Sequence, residues 1–142
     1  MRKLKIFIDI NYPKRLVDAL LKIHALQKKA EFEIIRGSFL AVDSPELENA
    51  IFLLVDNKNR GVEITTLKHY EDGYRVIACK TGDVEKVDRF EFSMTVLRVW
   101  PSIIEKAKQI HSPFLFTFKY GGNRLSKIKS TENEIMIQST SN

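Results

Sequence analysis

The feature that most constrains the fold is a short apolar run near the N-terminus that ends in a carboxylate. Residues 5–13 read Lys-Ile-Phe-Ile-Asp-Ile-Asn-Tyr-Pro. The apolar part is too short for a helix and rich in Ile and Phe, which favours a buried strand. Asp9 stands where this strand leaves the sheet. Ligands of open α/β sheets bind beyond the carboxyl ends of the strands, so Asp9 is well placed to bind a metal ion.

Strand and helix patterns alternate along the rest of the chain and predict an α/β fold. An amphipathic helix is expected from Pro13 to about Gln27, with Asn11 as its N-cap and Pro13 at its first position. The strand patterns at 5–9 and 31–36 flank this helix in one βαβ unit, which predicts parallel pairing and a right-handed crossover. Further strands are expected at 51–55, 74–79 and 114–120, and a hairpin partner at 123–128.

The helical segments in the middle of the chain are less regular. Residues 43–48 predict a short capped helix. Residues 62–72 form either a helix or a hairpin that turns at their Asp-Gly pair, and the surrounding alternation favours the helix. A long helical region opens at Asp83, is interrupted at Pro101 and then continues.

Composition limits the class of protein. A chain of 142 residues fits one domain, with residues 1–129 expected as the α/β domain and 130–142 as a polar, mobile tail. The single cysteine, Cys79, excludes an intramolecular disulfide framework and favours the reducing cytoplasm. The net charge of +5 favours an anionic partner. No window approaches the ~20 apolar residues of a membrane span, so no membrane partner is expected.

A second aspartate repeats the pattern of the first. The apolar run at 51–55 ends in Asp56, and polar residues follow it. Carboxylates that converge on one crevice repel each other unless a cation neutralises them, so such pairs shift their pKa or bind a divalent metal. Alternatively, each aspartate only caps a turn. The residues themselves leave both interpretations open.

Three other side-chain groups have both a structural and a functional interpretation. His24 lies beside the apolar stripe of the first helix and is interpreted as a structural histidine. Cys79 lies inside a strand and is interpreted as a buried small hydrophobe. The alternating aromatic residues of 114–120 lie near Lys119 and Arg124 and either stack on single-stranded RNA or belong to the core or a partner interface. The core or interface is favoured.

The opening motif resembles that of the PIN-like families. Residues 5–13, followed by Leu-Val-Asp-Ala-Leu at 16–20, are similar to their strand ending in Asp, nearby Asn and Pro, and following helix. Residues 100–105 and 112–116 resemble the C-terminal helix and Pro-Phe strand of the toxin-like PIN subgroup. The resemblance covers roughly residues 4–120. It implies a three-layer α/β/α fold with a mainly parallel sheet of about four or five strands.

The resemblance also implies a function, a metal-dependent endoribonuclease of the kind found as toxins in toxin–antitoxin pairs. Asp9 and Asp56 would bind Mg²⁺ or Mn²⁺ and act in catalysis. The third acid would come from the segment with Asp43, Glu46 and Glu48; Glu46 is the catalytic candidate, and Glu46 and Glu48 are the metal ligands. Asp43 and Asp83 carry less weight. The metal would ready a water for attack on an RNA phosphodiester.

Asn11 would orient Asp9 or touch the substrate phosphate, and Lys58 and Arg60 would be further substrate-binding residues. RNA is the expected partner, with a cognate antitoxin protein and a second copy of the chain as the protein partners. The chain departs from the family where Val55 precedes Asp56, because the family has a basic residue there. Two alternatives therefore stand beside the ribonuclease: a degenerate PIN-like module that binds RNA or a protein, and an α/β interaction protein.

Overall fold

Short apolar runs separated by amphipathic segments build a sheet covered by helices. The computed structural model describes residues 4–26, 32–37, 50–82 and 84–128. The elements in chain order are β1 (Leu4–Asp9), α1 (Lys14–Ala25), β2 (Phe32–Gly37), β3 (Ile51–Asp56), α2 (Ile64–Glu71), β4 (Arg75–Lys80), α3 (Arg89–Gln109), β5 (Phe114–Lys119) and β6 (Ser126–Lys127). The strand order is β2-β1-β3-β4-β5-β6. Neighbours from β2 to β5 pair in parallel, and β6 pairs antiparallel to β5.

The sheet confirms the predicted α/β class and its mainly parallel pairing. The predicted count of four or five strands was wrong, because the described residues form six. The additional strand is the predicted hairpin partner, which is reduced to the two residues of β6 and pairs Lys127 with Phe116.

Side chains alternate between two cores on opposite faces of the sheet. On one face Ile8 and Leu53 pack with α1 and α3, and on the other Phe52 and Leu54 pack with α2. Both faces of the central strands are therefore apolar, as expected for parallel strands covered on both sides. The described residues form three layers, with two helices on one face of the sheet and one on the other.

This distribution of helices requires one crossover of the rarer hand. α1 and α3 cover the same face, although the steps from β1 to β2 and from β4 to β5 cross the sheet in opposite directions. These two crossovers therefore have opposite hands. The β3–α2–β4 unit steps across the sheet in the direction opposite to β1–α1–β2, and its helix covers the opposite face. The two reversals cancel, so these two units have the same hand. Since about 98% of such crossovers are right-handed, we assign β4–α3–β5 as the left-handed one.

One local prediction is confirmed and three are corrected. Segment 62–72 contains the helix α2 (Ile64–Glu71), with Thr66 and Leu67 buried as predicted. Asn11 does not cap α1: Pro13 occupies the N-cap position, one residue before the position predicted for it, and Asn11 binds Asp9 instead. Pro101 does not interrupt the third helix, which runs unbroken from 89 to 109. Pro101 is exposed, so the carbonyl that loses its intrahelical donor can bind water.

The start of α3 also differs from the prediction. The helix begins at Arg89, and the Asp88 carboxylate caps it by accepting a hydrogen bond from the Glu91 N–H at 2.9 Å. Asp83, predicted to open this helix, lies outside the described residues, as do segment 43–48 and the tail 130–142.

A buried arginine holds the far end of α3 against the sheet. The Arg75 guanidinium, at the start of β4, donates hydrogen bonds to the carbonyls of Ala107 at 3.2 Å and Ile110 at 3.0 Å. These are carbonyls of the last turn of a helix, which otherwise lack intrahelical donors. Burial lowers the pKa of Arg75. The contacts fix where the left-handed crossover returns to the sheet.

Replacing Arg75 with Met is therefore expected to lower the free energy of unfolding by about 1.5–3 kcal/mol, since hydrogen bonds from a buried charged donor are lost. Urea unfolding followed by circular dichroism measures the change. Arg124→Met is the matched control, because Arg124 is exposed between β5 and β6 and its loss should change stability by less than about 0.5 kcal/mol. Equal stability of the two variants would contradict the conclusion that the Arg75 hydrogen bonds hold the end of α3 against the sheet.

Candidate functional site

The carboxyl end of β1 is built around a short turn that follows the strand. Asp9 is 7% exposed, and its Oδ2 accepts hydrogen bonds from Asn11 Nδ2 at 2.8 Å and from the Asn11 backbone N–H at 3.3 Å. The Asp9 carbonyl accepts the N–H of Tyr12 at 2.9 Å. Asn11 thus holds the Asp9 carboxylate in a fixed orientation.

Tyr12 anchors this turn to the core. Its hydroxyl donates a hydrogen bond to the Leu54 carbonyl at 2.9 Å, and its ring meets that of Phe92 edge to face with centroids 5.0 Å apart. Burial raises the pKa of Tyr12 well above its ordinary value, with smaller contributions from Cys79 and Asp9. The Arg36 guanidinium closes the outer side by donating to the Ile10 carbonyl at 2.9 Å. The turn is held from both sides.

Asp56 is the most strongly hydrogen-bonded carboxylate of the described residues. It is fully buried. Its Oδ2 accepts from the Glu63 N–H at 2.7 Å and the Thr66 hydroxyl at 2.9 Å, at the start of α2. Its Oδ1 accepts from the Lys58 N–H at 3.0 Å and the Lys80 ammonium at 2.9 Å. Both oxygens are therefore occupied, and the negative charge already has a cation beside it.

The loops that follow β3 and β4 pack tightly together. The Lys80 ammonium also donates to the carbonyls of Lys58, at 2.6 Å, and Gly61. The Thr81 hydroxyl donates to Asn57 Oδ1 at 2.6 Å. A Cβ on Gly82 would lie 2.5 Å from the Asn57 carbonyl oxygen, so only glycine fits there. These contacts join the two loops into one rigid unit.

A basic crevice opens between this loop unit, the turn after β1 and the N-terminal ends of α1 and α3. Its volume is about 530 Å³. Three of its lining residues are cationic, namely Lys14, Arg36 and Arg89. Within the described residues no carboxylate lines the crevice. The remaining lining residues are uncharged, namely Ile10, Asn11, Tyr12, Pro13, Val55, Asn57, Thr81, Val87 and Phe92. The crevice lies on the α1 and α3 face of the sheet, since Tyr12 and Phe92 belong to that core.

The structure places the two predicted acidic residues on neighbouring strands, since β1 and β3 pair directly. Neither lines the crevice. Asp56 follows Phe52 and Leu54 at intervals of two residues, so it shares their face of the sheet, and it accepts a hydrogen bond from α2. Its carboxylate therefore lies on the side of the sheet opposite to the crevice. Of the predicted substrate contacts, Asn11 lines the crevice, whereas Lys58 and Arg60 do not.

The implied divalent metal can be tested against the donor atoms. Mg²⁺ needs oxygen ligands that are free to enter its octahedral shell, and Asp56 offers none because four protein donors occupy its carboxylate. Asp9 keeps Oδ1, which accepts no hydrogen bond from the described residues. Within those residues no three His, Cys, Asp or Glu side chains group together. Asp43, Glu46, Glu48 and Asp83 lie outside the described part of the chain. The described residues therefore do not fit a carboxylate-bound Mg²⁺.

Three other candidate groups have structural roles. Cys79 is fully buried in the core, as predicted, and this burial raises the pKa of its thiol to about 12. His24 is buried and its Nε2 accepts a hydrogen bond from the Trp100 indole N–H at 2.9 Å, which confirms the structural histidine. The alternative in which strand 114–120 stacks on RNA was wrong, because its residues are buried on both faces of the sheet from Phe114 to Phe118.

Sequence reasoning missed the cations of the crevice. Lys14 and Arg89 are the first residues of α1 and α3, where acidic residues are usually favoured by the helix dipole. A basic residue at the first position of a helix that follows a strand was therefore the sequence signal that could have indicated an anion-binding site at this edge of the sheet.

Comparison with known proteins leaves the family open. The chain matches no protein-family model, and no curated protein or solved structure is significantly similar to it. Among the described residues, no helix combines the length and the apolar character that crossing a membrane requires.

Proposed function

We propose that this protein is a PIN-like module that binds single-stranded RNA in the basic crevice at the carboxyl edge of its sheet. The observation that supports the proposal is the composition of the crevice, which has three cations and, among the described residues, no carboxylate. Phosphate contacts supply most of the affinity of proteins for nucleic acids. The net charge of +5 adds a favourable long-range field.

The arrangement of the crevice suits a nucleotide. Lys14 and Arg89 are exposed and start two helices, so each side chain favours a phosphate together with the positive end of its own helix. Ile10 is 51% and Val87 39% exposed, and they offer apolar surface to a base. The volume of about 530 Å³ is in the range of small-molecule pockets, about 300–1,000 Å³. One splayed-out nucleotide of a single strand is the ligand that this size admits.

Metal-dependent hydrolysis of RNA is the second candidate. The observation that favours it is the Asp9 carboxylate, which is held by Asn11 at the end of β1 and keeps one oxygen without a donor from the described residues. The resemblance assigns further ligands to Glu46 and Glu48, which lie outside the described residues. The predicted toxin role, the antitoxin protein as partner and the homodimer with a second copy of the chain are part of this second candidate.

Fluorescence anisotropy of a labelled single-stranded RNA tests the proposal. We expect affinity to fall with salt, with a log–log slope of about −2 for three phosphate contacts, and binding to persist in EDTA, because it needs no divalent metal. Absence of binding at low salt would contradict the proposal. Gel electrophoresis of the same samples tests the second candidate: cleavage in Mg²⁺ or Mn²⁺ that stops in EDTA and in Asp9→Asn would establish it.

A further inference from the structure

The ammonium of Lys80 lies in a cage of oxygen atoms supplied by β3 and the loop that follows it. The Lys80 side chain is 15% exposed. Its three hydrogen bonds go to the Asp56 carboxylate at 2.9 Å and to the backbone carbonyls of Lys58 and Gly61. A lysine ammonium has three donors, and all three are used here.

These oxygens are the kind that bind cations. One carboxylate and two backbone carbonyls from a tight loop are typical ligands of hard cations such as Ca²⁺. Gly61 has a φ of +67°, a left-handed conformation that glycine adopts readily, and it directs its carbonyl to the cage. The Asp56 charge is fully buried, and a buried charge is tolerated only when it is paired.

We propose that Asp56, Lys58 and Gly61 form a cation-binding site that the chain fills with its own lysine. Lys80 acts there as a tethered cation and orders the loop that carries Asn57, which lines the crevice. The wall of the crevice is thereby built without a metal ion. The inference stands apart from the RNA-binding proposal, because its readouts are thermal stability and proton exchange.

Removing the side chain and supplying a free cation tests the site. Lys80→Ala is expected to lower the unfolding midpoint by about 10 °C, since the buried Asp56 charge loses its partner. Methylammonium, which replaces the missing end of the side chain, should restore at least half of this loss in a concentration-dependent way, as a ligand of the native state does. Calcium ions are the second probe.

Three controls isolate the effect. Tetramethylammonium chloride at the same concentration has no N–H donor and should restore nothing. Lys119→Ala is the matched variant, because Lys119 pairs with Lys80 in the sheet register but is exposed; its midpoint should change little. Asp56→Asn combined with Lys80→Ala removes the charge of the site and should abolish rescue. Rescue of Lys80→Ala by methylammonium or calcium alone supports the site. A midpoint unchanged from wild type, or a loss that neither cation restores, overturns it.

The wild-type chain gives a test that does not depend on the folding of the variant. A caged ammonium exchanges its protons slowly with water, so the Lys80 NH₃⁺ group should give a ¹H–¹⁵N signal at neutral pH, whereas that of Lys119 should exchange too fast to be seen. Absence of the Lys80 NH₃⁺ signal, because its protons exchange as fast with water as those of Lys119, would contradict the cage regardless of the stability of Lys80→Ala.

Discussion

Reversing the charge of Lys14 and Arg89 together is expected to weaken RNA binding by roughly 100-fold, because two attractive phosphate contacts become repulsive. Both side chains are exposed and line the crevice, so the double variant Lys14→Glu/Arg89→Glu should keep its fold. The loss should be largest at low salt, and the salt dependence should become shallower. Fluorescence anisotropy with the same RNA measures both effects.

A matched control separates the crevice from net charge. Lys22→Glu/Lys68→Glu changes the net charge by the same amount, but Lys22 and Lys68 lie on the exposed sides of α1 and α2 and do not line the crevice. This control variant should weaken RNA binding by only a few-fold, through its effect on the long-range electrostatic field of the protein. If both double variants lose affinity equally, RNA is attracted by overall charge and the crevice is not its site.

The second large effect concerns stability. Asp56→Asn is expected to lower the free energy of unfolding by about 3–5 kcal/mol, because it leaves the Lys80 ammonium without its buried counter-charge and turns an amide NH₂ towards protein donors. Asp9→Asn should cost only about 1 kcal/mol, since Asp9 has a single side-chain partner, Asn11, among the described residues. Thermal and urea unfolding measure the difference between these two conservative substitutions.

This asymmetry decides how a nuclease assay is interpreted. Loss of cleavage in Asp56→Asn would report loss of the fold around Lys80, whereas loss in a stable Asp9→Asn would report loss of a metal-binding charge. Equal stability of the two variants would show that the hydrogen bonds of Asp56 contribute little, and it would restore Asp56 as a ligand candidate.

Local patterns were sufficient to predict most elements of the fold. The short continuous apolar run at 51–55 predicted a buried strand, and the stripe of α1 matched the helical period of 3.6 residues. Both elements appear within one or two residues of the prediction. Pro101 was misjudged because an exposed proline is tolerated where neighbouring turns are anchored, here by Trp100 and His24. The burial of Leu115 and Thr117 was underestimated, because the alternation of the aromatic residues predicted a half-buried strand and does not reveal that both faces are covered.

The site was harder to predict because it depends on the arrangement of distant elements. Parallel pairing places β1 and β3 side by side, but the expected convergence of Asp9 and Asp56 on one crevice is not observed, because neither residue lines it. The partner of Asp56 was not, since Lys80 is 24 residues away and reaches it only through the register of β3 and β4. The left-handed crossover brings Arg89 to the turn after β1, and no local pattern indicates the hand of a connection.

The most direct test of the account is to locate RNA on the protein by nuclear magnetic resonance. Adding a short single-stranded RNA to ¹⁵N-labelled protein should shift the signals of the crevice, namely the Asn11 side-chain amide and the backbone N–H groups of Lys14, Thr81 and Arg89. The signals of α2 should stay unchanged, and EDTA should alter nothing. Shifts confined to α2 or to the sheet edge at β6, with the crevice silent, would contradict the central claim that the basic crevice binds RNA.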